Sequence, residues 1–111
     1  MKWSVEFYDK SVESDAFAFP TTIKAKLIHI MELIEVHGPN IGKPHVESIR
    51  GKDAHGLFEM RPKGKEGIGR AFYCTVVGRK VVVLHCVIKK ANKVKKSDLE
   101  LAKRRMKEIK K

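Results

Sequence analysis

Two arginines, a glutamate and a histidine fall where strands are expected, and these are side chains that hold an anion or move a proton. In Leu57-Phe58-Glu59-Met60-Arg61, alternation sets Phe58 and Met60 on one face and Leu57, Glu59 and Arg61 on the other, so one face packs and the other can work. Arg70 lies among apolar neighbours in the next strand, and an arginine in mid-sheet needs a carboxylate partner or an anionic ligand. Glu59 is the candidate partner. Two readings stay open: a cross-strand ion pair with no chemical part, or a cation held at a phosphate. His85, within Val81-Val82-Val83-Leu84-His85-Cys86-Val87, is either a proton-transfer group or a hydrogen-bonded core residue. His29, His37, His45 and His55 fall on a helix or in loops, and only His45 and His55 sit where a flexible segment can deliver them to the sheet.

The densest cationic run is Ile88 to Lys96, where Lys89, Lys90, Lys93, Lys95 and Lys96 are joined by Asn92 as a further donor and no acid intervenes. That pattern favours phosphate binding over a merely solvated face. Tyr73 is the aromatic nearby in the chain that could stack a base. The whole chain has 24 Lys and Arg against 13 Asp and Glu, a net charge of +11 and a pI near 9.8. The imbalance is confined to one half: residues 1–56 carry seven basic and eight acidic side chains, residues 57–111 seventeen and five. Nucleic acid is the leading class of partner. There is no glycine-rich phosphate loop, no cysteine pair at zinc spacing and no His-Glu-x-x-His helix, so no cofactor and no metal are expected.

The elements that must carry these residues can be read from periodicity. Trp3, Val5 and Phe7 alternate with polar residues as in a half-buried strand. Asp9 or Ser11 caps a short helix to about Phe19, and Pro20 breaks it while suiting the start of another. Ile23, Leu27, Ile30, Met31 and Ile34 then make one apolar stripe, ended by Gly38-Pro39-Asn40. Ile41 to Gly56 keeps no period and reads as a long loop. Leu57–Arg61, Ile68–Val76 and Lys80–Ile88 are three strands of an antiparallel meander, joined by turns at 62–67 and 77–79. Ser97 caps a last helix whose narrow apolar face is Leu99, Ala102, Met106 and Ile109. The expectation is an α+β fold in the order β-α-α-β-β-β-α, a single domain over residues 1–111. Cys74 and Cys86, inside apolar runs, are expected to be free core thiols. With no signal-like apolar region at the start and no run of about 18 apolar residues, the expected location is the cytoplasm.

The runs Leu57-Phe58-Glu59-Met60-Arg61, Arg70-Ala71-Phe72-Tyr73, Val82-Val83-Leu84-His85-Cys86-Val87-Ile88-Lys89-Lys90 and Leu99-Glu100-Leu101-Ala102-Lys103-Arg104-Arg105 resemble, in order and spacing, the RelE/ParE toxin superfamily and its phage-derived, HigB-like branch. The likeness extends over nearly the whole chain, with the specific motifs in residues 57–105. It implies a RelE-like, microbial-ribonuclease-like antiparallel sheet with helices packed on one face. The activity implied is that of a type II toxin–antitoxin toxin: a metal-independent, ribosome-dependent mRNA endoribonuclease that inhibits translation and is neutralised by a helix-turn-helix (HigA-like) antitoxin. Residue by residue, Arg70 and Arg61 match the family's phosphate-binding arginines, and Lys89 and Lys90 its Lys-Lys strand end. His85, Glu59 and Lys89 are the acid–base candidates, and Lys90, Lys93, Lys95, Lys96 and Tyr73 the RNA-binding set. The C-terminal His-Tyr or Tyr that the best-known members carry at the sheet end has no counterpart, so the resemblance does not carry their acid–base scheme over to this chain. A ParE-like gyrase-poisoning module and a non-catalytic phage-derived nucleic-acid-binding protein are the alternatives.

Overall fold

A period of two gives way to a period of 3.6 within the first 37 residues. In β1 (Ser4–Phe7), Val5 and Phe7 turn inward while Ser4 and Glu6 stay exposed. Asp9 caps α1 (Lys10–Phe17), its carboxylate accepting from the Val12 amide at 2.9 Å. Pro20 precedes α2 (Thr21–His37), whose residues Ile23, Leu27, Ile30 and Ile34 are fully buried. The structure is a computed structural model and describes residues 2–89 and 94–110, with only the backbone of Lys89.

The remaining elements are β2 (Val46–Ser48), β3 (Phe58–Met60), β4 (Lys63–Gly64), β5 (Gly67–Val76), β6 (Lys80–Lys89) and α3 (Lys96–Ile109). The strands run β1-β6-β5-β3-β2 across one sheet, and β4 pairs with β5. The expected α+β class, the three helices and the β3–β5–β6 meander are all present. The 41–56 segment is not wholly loop: Val46 is buried and pairs with Met60, making β2 a short edge strand.

The sheet is mixed rather than wholly antiparallel, because β1 lies parallel to β6, with Val5 beside Val81 and Phe7 beside Val83. Parallel neighbours need a long connection, which the helices and the meander supply, and β1 satisfies the edge that β6 would otherwise leave open. Helices cover both faces, not one. α1 and α2 close a core of Ile23, Leu27, Ile30, Ala71, Tyr73, Val81 and Val83, while α3 closes a second with Leu57, Phe72, Cys74 and Leu84. Ala71-Phe72-Tyr73-Cys74 is apolar at both parities of the strand, so each face has side chains to remove from water. Ala102 and Met106 of α3 do this for the second face.

Cys74 and Cys86 are free and buried, as expected. They point to opposite cores, and burial pushes the Cys86 thiol up to about 12 and raises that of Cys74. Among the described residues no helix is long and apolar enough to cross a membrane.

Candidate functional site

The face under α3 gathers the polar residues. Strand register sets Glu59, Phe72 and His85 side by side across β3, β5 and β6, and Arg70 lies two residues from Phe72 on the same side. Arg70 is 6% exposed, and its Nη1 donates to Glu59 Oε1 at 3.2 Å. Arg61 Nε lies 3.9 Å from the same carboxylate oxygen, and Arg61 Nη1 bonds Glu47, whose other oxygen meets Lys43 Nζ at 3.4 Å. The result is an alternating chain, Arg70–Glu59–Arg61–Glu47–Lys43. Burial pushes the Glu47 carboxyl up, but the bonds and charges of Lys43 and Arg61 outweigh this and hold it below its usual range. Arg70 Nε is buried and has no acceptor among the described residues. The ion pair expected between Arg70 and Glu59 is therefore present, and it leaves guanidinium donors unused.

His85 reaches this face through an irregularity. Phe72 pairs with His85 but Tyr73 pairs with Val83, so Leu84 is an extra residue in β6. Strict alternation from Val83 would send His85 into the α1–α2 core; the bulge turns it to the other side. There its Nε2 meets Asp98 Oδ1 of α3 at 2.9 Å, with the ring nearly parallel to Phe72 at 6.4 Å between centroids. The Leu84 carbonyl accepts from Arg105 Nη1 at 2.7 Å, and Arg105 also lies over the Tyr8 ring at 4.7 Å. Tyr8 in turn donates to Glu108 Oε1 at 2.8 Å. Three polar ties thus fix α3 over the bulge. The cap expected at Ser97 is not formed: α3 starts at Lys96, with Lys95 at its N-cap and no side-chain cap bond, and Asp98 lies in its first turn.

The sequence profile of the family described as "Phage derived protein Gp49-like (DUF891)" matches residues 15–107. The chain belongs to the Gp49-like family. No curated protein sequence matches this Gp49-like chain significantly. Among solved structures it is similar to the Escherichia coli toxin RelE, a double-arginine mutant in the free state, with a TM-score of 0.60 and 14% identity over 98% of this chain and 99% of that one. The fold is that of RelE, and the matched family is a phage-derived one.

In this Gp49-like protein, Arg61, Arg70, Glu59 and His85 share one face. Lys89 ends β6 opposite Ile68, its side chain lying outside the described residues, as do Lys90 and Lys93. Lys95 and Lys96 are exposed at the start of α3. Tyr73 is a correction. It is 0% exposed, stacks against Phe58 in the α1–α2 core and donates its hydroxyl to the Pro39 carbonyl at 2.7 Å. A base-stacking platform needs an open ring face, so Tyr73 is a core residue. Among the described residues no three or more His, Cys, Asp or Glu come together to hold a metal ion.

Proposed function

We propose that this protein is the toxin of a type II toxin–antitoxin pair and cuts messenger RNA on the ribosome, silenced by a helix-turn-helix partner of the HigA-like kind. The observation that carries the reading is that Arg70, Arg61 and the His85–Asp98 pair share the sheet face on which α3 packs. In metal-independent RNA cleavage a 2′-hydroxyl attacks the adjacent phosphate, a base takes its proton, cations meet the growing charge and an acid protonates the leaving oxygen. His85 Nε2 lies against Asp98 Oδ1, and in the tautomer that donates Nε2–H to this carboxylate Nδ1 is left as the acceptor for that proton. Arg61, with a third of its side chain exposed, offers its guanidinium to the phosphate; Arg70 supports the charge from below. Lys89 and Lys90 at the strand end, with Lys93, Lys95 and Lys96 beyond it, supply further contacts to the RNA backbone.

A second reading has one observation in its favour. Arg70 is nearly inaccessible and Glu59 already offsets its charge, which suits a sheet that binds nucleic acid without cutting it. Purified protein incubated with ribosomes and a defined message, with cleavage mapped by primer extension, separates the two. Discrete cuts that vanish in His85→Gln support the nuclease; binding without cuts supports the second reading, and gyrase-dependent DNA breaks would favour a ParE-like poison.

A further inference from the structure

Beyond the α3 face, a cleft of about 540 Å³ opens beside β4, lined by Lys26, Lys43, Pro44, His45, Arg61, Lys63 and Ile68. Its size is that of small-ligand clefts, about 300–1,000 Å³. Four of the lining residues are lysine or arginine, one is histidine and none is acidic. The nearest carboxylate partner, Glu47, is shared between Lys43 and Arg61. Lys26 and Lys63 pair with no acid among the described residues, and they come from different elements, α2 and β4.

The walls are built rather than fortuitous. Gly64 packs so closely on α2 that an added Cβ would lie 2.7 Å from the Ile23 amide nitrogen, and at Gly69 it would meet Phe19 and Ile23. Thr22 at the start of α2 bonds Glu66 and accepts from the Lys65 amide at 3.0 Å. These contacts clasp the β4–β5 turn to α2 and bring Lys63 and Lys26 to one opening. On the opposite wall His45 carries a buried Nδ1 with no partner among the described residues.

We infer that this cleft is a phosphate subsite for the RNA backbone, formed by Lys26, Lys43, His45 and Lys63 and joined through Arg61 to the face beneath α3. The inference rests on RNA being the substrate. A protein partner would need apolar or aromatic anchors at the centre of its footprint, and only Pro44 and Ile68 are offered here. Burial, and then Lys26 and His29, hold His45 below its ordinary pKa. The groups facing it are Lys26 and His29 from α2, Lys43 from its own loop, Arg61 after β3 and Lys63 from β4, all of one sign or neutral. An arriving phosphate supplies the missing anion, so His45 takes up a proton as RNA binds.

The test uses a 2′-O-methyl hexaribonucleotide, which binds but cannot be cut, and a polyglutamate peptide of equal charge. Binding of the oligonucleotide should raise the His45 titration midpoint, followed by NMR, by about one pH unit. The double variant Lys26→Ala/Lys63→Ala should bind it about tenfold more weakly, with a salt dependence shallower by about two charges. Its cleavage defect should fall on KM. An unchanged salt slope with affinity within twofold of wild type overturns the subsite. So does polyglutamate binding that the double variant abolishes while oligonucleotide binding stays, which would mark a protein interface. A wild type that binds the probe through Lys26 and Lys63 yet cuts no message sinks the nuclease and leaves the cleft standing.

Discussion

The two faces of one sheet are built to different ends. The face under α1 and α2 is closed by a 17-residue helix with four fully buried aliphatic residues, and no charged side chain is buried there among the described residues. The face under α3 is closed by a shorter helix with only Ala102 and Met106 buried, and it holds Glu59, Arg70 and the His85–Asp98 pair. Stability is concentrated on the first face. The thinner cover of the second tolerates polar groups that a deep core would exclude, and that is where charge can be put to use.

The contrast can be broken most directly by truncation. Leu27→Ala should cost about 4 kcal/mol and Met106→Ala about 2, because α3 can settle into the space left behind. Denaturant unfolding of the pair checks this, and equal costs would erase the difference between the faces. Next comes Arg70→Ala, expected to lower cleavage by about 10²-fold. It should also destabilise on the order of 3 kcal/mol, since Glu59 is buried beside it. The fold is therefore touched as well as the chemistry, contrary to what a surface phosphate ligand would show. Arg70→Lys separates the two by keeping a charge for Glu59 while losing the planar fork, and should recover most of the stability with little of the cleavage.

Asp98→Asn keeps an acceptor near His85 but removes the charge, so cleavage should drop about tenfold while unfolding shifts by less than about 1 kcal/mol. A loss of folding instead of rate would make the pair a structural tie. The smallest effect lies outside both faces. Asp9, held below its ordinary 3.8 mainly by the Val12 amide, stabilises α1 above that pH, and the contribution is lost as pH falls through its lowered folded value. Asp9→Ala should thus lower the thermal midpoint at pH 7 and match wild type once both are acidified, as a melting series would record.

Much of the architecture was legible because its signals are local. The Trp3, Val5 and Phe7 alternation, the α2 stripe and the Asp9 cap each need only a few neighbours. β2 escaped notice because Val46 alone of its three residues is buried, too few for a period. Which face α3 takes depends on tertiary packing, although the unbroken run Ala71-Phe72-Tyr73-Cys74 already signals a strand covered on both sides. The Arg70–Glu59 pairing followed from register, whereas His85–Asp98 did not: nothing local marks Leu84 as a bulge, and without it parity sends His85 the wrong way. The burial of Tyr73 is hidden for a similar reason, since proximity in sequence to cationic residues says nothing about which side of the sheet a ring occupies.

The pairing of β1 with β6 also bears on when the protein can exist. Residues 4–7 must wait for residues 80–83 before they have a neighbour, so a contact spanning most of the chain sits at the sheet's edge. Such long-range closure slows folding relative to local helix packing. During synthesis the first strand and the inner faces of α1 and α2 emerge well before the strands that cover them, and the sheet can be completed only when β6 has left the exit tunnel. A protein whose proposed substrate is messenger RNA on the ribosome therefore cannot assemble its working face until β6, and the α3 residues that cover it, have been made and released.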